Sequence, residues 1–431
     1  MTYYPTMKTG GGTVEMAPET ALGTPDAYVH QRLTATDPTF PTNTREALDV
    51  PFTGHRHWGT RENQVTFERY QEGSLTIPTY VTRGTSGAAT VPCQTMQHLL
   101  AAGANVGYTT ESAVAIATSV DSFTITPDAS TDAGCAGLLG IGSGDSPSYY
   151  LPVLPSAFST PTVTPSMELP AATKAGYLWG VMSTATPRVG PLAATSTNAF
   201  RAINYYMHTA AQSQFTYTGC AVQQFADVVF EPGKPLEIVP TYHVGDISGP
   251  DTGTAATEVF QDLAKPCIIS GDGECHVNLG TFADPVTTNV RATLVRANWT
   301  LGIGCVVKPG FGASTNLNGI GTYLSMYTGS KITIEVEMNK SWWANWIARS
   351  ASTDVYLAIT QPVTNYLTGT AAGLWMPRCK IYGSPKVELF GEDALTATIT
   401  LEPTCPAYEA DESVTSLGMA PWYFAISGQG A

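Results

Sequence analysis

Gly329-Ser330-Lys331-Ile332-Thr333-Ile334-Glu335-Val336-Glu337-Met338 alternates apolar and polar residues without a break. Side chains alternate faces along a strand, so Ile332, Ile334, Val336 and Met338 fall on one side. Thr333, Glu335 and Glu337 fall on the other. Ser341 then caps a short helical run, 341–348, that carries Trp342, Trp343, Trp346 and Ile347. The same order occurs earlier in the chain. Gly73-Ser74-Leu75-Thr76-Ile77 leads past Pro92 into a helical run over 94–102. There Met96, Leu99 and Leu100 share a face, and Gly103 is a C-cap signal. Pro78 demotes the earlier strand to an edge or marks a bulge.

A second pair of matches follows in the same order. Cys220, Val222, Val228 and Phe230 have the spacing of Cys379, Ile381, Val387 and Leu389. Two ordered matches point to a duplicated unit. The expected fold is mainly β, with duplicated β-sandwich or barrel units, each bearing a short flanking α-helix. A repeat without a catalytic motif points to assembly rather than chemistry.

Composition narrows the function. In 431 residues only 13% are charged, about half the usual share. A surface rich in Thr and poor in charge suits strands that other subunits cover. The 35 acidic residues against 21 basic ones give a net charge of −14. Without a basic run, such a chain repels a polyanion, which argues against sequence-reading nucleic-acid binding. The eight cysteines are Cys93, Cys135, Cys220, Cys267, Cys275, Cys305, Cys379 and Cys405. They are sparse, and Met1-Thr2-Tyr3-Tyr4-Pro5 opens no apolar signal core, so free buried thiols are expected. Asn298-Trp299-Thr300 fits a glycosylation sequon that has no meaning without secretion. No apolar stretch approaches the ~20 residues of a membrane span.

Periodicity divides the chain into an N-terminal arm (1–62), a first half (63–246), a joint (247–290) and a second half (291–431). The arm holds Gly10-Gly11-Gly12 and scattered prolines, so it is expected to order against a neighbour. Residues 128–215 read as short strands and long loops. Residues 228–239 read as a hairpin around Pro232-Gly233. Residues 355–360 read as a strand, and 387–389 with 395–401 as a hairpin. Trp422-Tyr423-Phe424-Ala425-Ile426 reads as a closing strand.

Candidate chemistry is thin. His55 and His57 would share a strand face, but a metal needs a third ligand, and a solvated loop is the plainer reading. Asp272-Gly273-Glu274-Cys275-His276 gathers ligand types without the spacing of a zinc or calcium site, so a polar loop is expected. Gly140, Gly142 and Gly144 lack the strand-then-helix context of a dinucleotide loop and read as a flexible connector. Gly84-Thr85-Ser86-Gly87-Ala88 misses a nucleophile elbow by one residue. Glu335 and Glu337 could suggest a glycosidase, yet catalytic acids face each other across a cleft, so a charged strand face is the better reading. The tryptophans of 341–348 are at core spacing. No catalytic residue, cofactor or metal is expected, and the chain does not read as an enzyme.

The order of features resembles the tail tube (major tail) proteins of long-tailed bacteriophages. Glu19-Thr-Ala-Leu-Gly-Thr24 is similar to that family's N-terminal segment. Gly73-Ser74-Leu75-Thr76-Ile77-Pro78, then Pro92 and Met96-Gln-His-Leu-Leu-Ala-Ala-Gly103, resembles its strand and following helix. Ser122-Phe-Thr-Ile125, and Thr218-Gly-Cys-Ala-Val222 followed by Pro232-Gly233, resemble its later strands. The resemblance spans most of the chain but not 128–215 or 247–290. It implies a virion structural protein, located in the tail, whose inner strands close with those of its neighbours into a ring-shaped β-barrel. Rings would stack into a tube that passes DNA. Tail terminator, distal tail and tape-measure proteins would be its partners. Two units per chain favour a trimeric ring imitating a sixfold one over a hexamer. Duplex DNA carries about one charge per 1.7 Å, so the lumen wall should be acidic, with Glu335 and Glu337 as its candidates. The alternatives are another virion protein (capsid, decoration or adhesin) and a carbohydrate-active β-sandwich.

Overall fold

In a computed structural model of the chain, the described residues are 12–21, 23–25, 31–33, 35–41, 45–51, 64–70, 73–84, 93–117, 120–126, 134–159, 161–187, 200–207, 213–252, 261–269, 273–278, 289–309, 320–337, 355–387, 396–404 and 420–427. The protein is mainly β. Its frame strands, in chain order, are β1 (Gly12–Ala21), β2 (Gly73–Thr76), β3 (Asn105–Thr109), β4 (Met182–Thr186), β5 (Arg201–Met207), β6 (Ser213–Phe225), β7 (Val228–Phe230) and β8 (Pro240–Val244). They continue with β9 (Glu274–Asn278), β10 (Asn289–Ala292), β11 (Leu294–Thr300), β12 (Lys331–Glu337), β13 (Val355–Gln361), β14 (Ala372–Val387), β15 (Thr396–Pro403) and β16 (Tyr423–Ser427). One helix, α1 (Gln94–Ala101), lies among the described residues, close to its expected bounds. The second expected helix, 341–348, lies outside them.

Two sheets form the frame. The first runs β1–β5–β6–β8–β2, with further short strands at its margins. The second runs β11–β12–β15–β14–β13–β9–β10. All of these pairings are antiparallel. Only Thr293 separates the end of β10 from the start of β11, so the two ends of the second sheet meet. The Glu337 N–H donates to the Thr293 carbonyl across this seam (3.0 Å). The second sheet is therefore a nearly closed barrel.

Burial explains the faces. Ile332, Ile334 and Val336 of β12 are fully buried, whereas Glu335 is half-buried and Glu337 exposed. Met338 lies outside the described residues. The barrel interior joins the first sheet and α1 in one apolar core, which includes Met96 and Leu99 of α1 with Leu75, Val222 and Tyr242 of the sheet. Strand β13 is buried at every position. Val355, Leu357 and Ile359 point into that core, while Tyr356 and Ala358 point outward into a second one.

The second core belongs to an insertion. β3 pairs with β4, and Thr109 lies opposite Met182. Between these partners, residues 110–181 build a separate seven-stranded sheet. Its apolar face packs on Tyr356 and Trp375 outside the barrel. Where the chain leaves the insertion, Gly180 has φ +127°. A Cβ there would lie 2.0 Å from the Thr110 carbonyl oxygen, so only glycine lets entry and exit cross this closely. Much of 128–215 is thus ordered sheet with its own core.

Several expectations change. Within the segment read as an arm, β1 pairs with β5 and buries Val14, Met16 and Ala17. Within the joint, β9 and β10 are barrel strands. Residues 228–239 turn at Pro232-Gly233 but form no hairpin. β7 pairs with β11, and Glu237–Ile238 pairs with Thr79–Tyr80. Each flanking strand is buried by a different neighbour, and alternation cannot reveal that. Residues 137–141 are a strand paired with Tyr149–Val153, so Gly140 to Gly144 belong to a hairpin rather than a flexible connector. A Cβ on Gly140 would meet Pro147 Cγ at 2.9 Å. β14 and β15 pair antiparallel as far as Val387 and Ala397, while the rest of the expected hairpin, 388–395, lies outside the described residues; the closing strand β16 stands where it was expected.

Candidate functional site

β12 carries the two acidic candidates on the face turned away from the barrel core. Glu335 lies opposite Arg296 on β11 and Thr398 on β15. Thr333, on the same face, approaches Thr400 hydroxyl to hydroxyl at 3.2 Å. Glu337 closes the row opposite Thr396. It also lines a cleft of about 750 Å³ at the barrel seam, with Glu231, Glu274 and Arg291. The acids therefore share a face but have different surroundings. Glu335 faces a cation across the ladder, and Glu337 joins a mainly acidic cleft.

The same cleft contains the segment expected to be a polar loop. Residues 274–278 instead form β9. Cys275 and Val277 enter the core, and Glu274 and His276 take the other face. The buried Glu274 carboxylate is forked. Oε1 accepts from Arg291 Nη2 at 2.6 Å, and Oε2 accepts from His276 Nε2 at 2.8 Å. This pairing lets a polar face be buried in a strand. Burial, then the Glu274 charge, raises the Tyr149 pKa. Among the described residues no three His, Cys, Asp or Glu side chains gather as a metal site. Asp272, His55, His57, Trp342, Trp343, Trp346 and Cys405 lie outside those residues, as do positions 85–88 of the near-elbow.

A third polar group has no counterpart in the sequence reading. Glu19 at the end of β1 is 1% exposed. Its two oxygens accept from the Gly219 N–H (2.7 Å) and the Gly23 N–H (2.8 Å). Arg201 lies near and is equally buried. Burial pushes the Glu19 carboxyl up to about 7 against the pull of those donors and of Arg201. Burial also brings Arg201 down to about 10 and His98 to about 3, so the imidazole is neutral at physiological pH. His98 Nδ1 is hydrogen-bonded to the Tyr242 hydroxyl. The group ties β1, α1 and the first sheet together. The seven described cysteines are buried thiols that form no disulfide, and burial raises the pKa of Cys93, Cys220, Cys267, Cys275 and Cys305.

Scanned against protein-family models the chain matches none, and no curated protein matches it in sequence.

Proposed function

We propose that this protein is the structural subunit of a viral tail tube, stacking as rings through which DNA passes. The observation that carries the reading is strand order. In the first sheet the order β2–β8–β6–β5–β1 places the second, fifth, fourth, third and first of these strands along the chain side by side. In the second, β12–β15–β14–β13–β9 repeats it strand for strand. β2 and β12 are the two Gly-Ser strands whose sequences match, and α1 follows the first of them. β6 and β14, which carry Cys220 and Cys379, are the long strands of the two sheets, at 13 and 16 residues. Five strands in one order, anchored at two sequence matches, support a duplicated unit.

The halves are interlocked rather than free. β7 of the first half pairs with β11, and β4 pairs with β16. One chain then offers two similar units held at a fixed angle, which suits a threefold ring with six quasi-equivalent positions. Two ribbons support lateral assembly. Arg45–Pro51 with Gln64–Tyr70, and Ile303–Pro309 with Ile320–Tyr327, pair only with each other among the described residues. The second exposes Val306 and Met326. Unpaired edges of this kind call for a neighbouring strand.

Electron microscopy of the purified protein at high concentration tests the reading. Stacked rings with threefold symmetry are expected, with the β12 acids lining the channel. Shells, spikes or dispersed monomers would overturn the tube. True sixfold rings would overturn the duplication while leaving the tube intact.

A further inference from the structure

A cleft of about 310 Å³ opens where the inserted sheet meets the turn between β13 and β14. Glu111 and Ser112, at the start of the insertion, form one side. Tyr150 and Tyr177 come from the inserted sheet, and Tyr366 comes from the turn. Main chain fixes this junction. The Tyr150 N–H donates to the Val363 carbonyl at 2.7 Å, and the Val363 N–H donates back to the Tyr150 carbonyl at 2.9 Å. The rings of Tyr150 and Tyr366 meet edge to face, with centroids 4.9 Å apart and planes at 62°. Such a pair leaves at least one π face free for a third group. The Tyr177 hydroxyl donates to the Gly144 carbonyl at 2.7 Å and its side chain is buried, so Tyr150 and Tyr366 supply the accessible rings.

The charge of the cleft has one sign. Among the described residues, Glu111 and Asp145 line it and no basic residue does. Lys174 stands outside, 3.6 Å from Asp145 and donating to the Gly144 carbonyl at 3.0 Å. Burial raises the pKa of Tyr150 and Tyr366; at Tyr150 the neighbouring Tyr366 and then Glu111 add to it, and at Tyr366 Glu111 does. Ser112 is 8% exposed, and its Oγ has no hydrogen-bond partner.

We propose that this cleft binds a guanidinium or primary alkylammonium group, the chemistry of an arginine or lysine side chain. Aromatic faces and a carboxylate both attract a cation, and they reject an anion. The site does not depend on the tube reading, since it requires only the junction of insertion and barrel.

The test uses the full chain, kept dilute and at low salt, titrated with n-butylguanidinium. Saturation-transfer NMR and calorimetry follow binding. Butyrate and methyl glucoside serve as comparison ligands. Millimolar binding of the cation is expected, with neither comparison ligand bound. Glu111→Gln should weaken binding about tenfold and Tyr366→Leu about threefold, in line with one charge-assisted hydrogen bond and one cation–π face. Both residues lie at the protein surface, and an unchanged thermal midpoint verifies each variant's fold. Absence of cation binding overturns the proposal. Binding unaffected by either substitution overturns it, and so does preference for the glucoside.

Discussion

Replacing Trp299 should loosen the contact that locks the two halves together. Its side chain is fully buried on β11. The indole N–H donates to Ser330 Oγ at 2.9 Å. Its ring lies 5.1 Å from Trp422 at 82°, 5.5 Å from Phe424 and 6.5 Å from Phe230. Phe230 comes from β7 of the first half, and Phe424 from the closing strand. One side chain thus contacts three separate parts of the chain. Trp299→Ala removes the whole ring from a core that cannot fully collapse, at a cost of about 3–5 kcal/mol. The lost hydrogen bond adds little, because the Ser330 hydroxyl still donates to the Thr300 carbonyl at 2.6 Å. Trp299→Phe keeps most of the ring and loses the N–H, at a cost of about 1–2 kcal/mol. Urea unfolding of dilute protein, followed by far-ultraviolet circular dichroism, gives both values. A loss below about 1.5 kcal/mol for the alanine variant would refute this packing account. So would equal losses for the two variants.

Glu19 should make stability depend on pH. Its folded pKa of about 7 lies above its ordinary 4.5. As pH rises the unfolded chain ionises first, so this contribution is complete below about 4.5 and lost by about 7, up to about 3 kcal/mol. Glu19→Gln should flatten that part of the profile, and equal slopes in both proteins would exclude the assignment. A thiol reagent should modify the described cysteines slowly in the native protein and all eight thiols in denaturant. Detecting six or fewer would reveal a disulfide. For the channel, tubes of a Glu335→Lys, Glu337→Lys double variant should retain duplex DNA at low salt, while unaltered tubes release it. Identical retention would place these acids elsewhere than the lumen wall. The variant's fold should suffer by at most about 1 kcal/mol, from the new like-charge pair with Arg296.

Sequence alone determined the local elements whose two faces differ. β12 was legible because Ile332, Ile334 and Val336 alternate with Thr333, Glu335 and Glu337, and one face is buried while the other is wet. α1 was legible from its apolar face and Gly103, and the duplication was suggested by two ordered matches. Tertiary structure decided which strands pair. A period of two says that one face is covered, but not which backbone supplies the hydrogen bonds. The residues around Pro232-Gly233 therefore looked like a hairpin while their strands joined two different sheets. β1 and β9 were obscured for another reason. Glu19 is buried with a partner far away in sequence, Gly219, and Glu274 with Arg291 of the neighbouring strand, while His276 is satisfied by Glu274 on its own strand. The insertion was hidden because Thr109 and Met182 are neighbours only in the folded chain. Short-range pattern fixes what a segment can bury, and long-range pairing fixes what it is buried against.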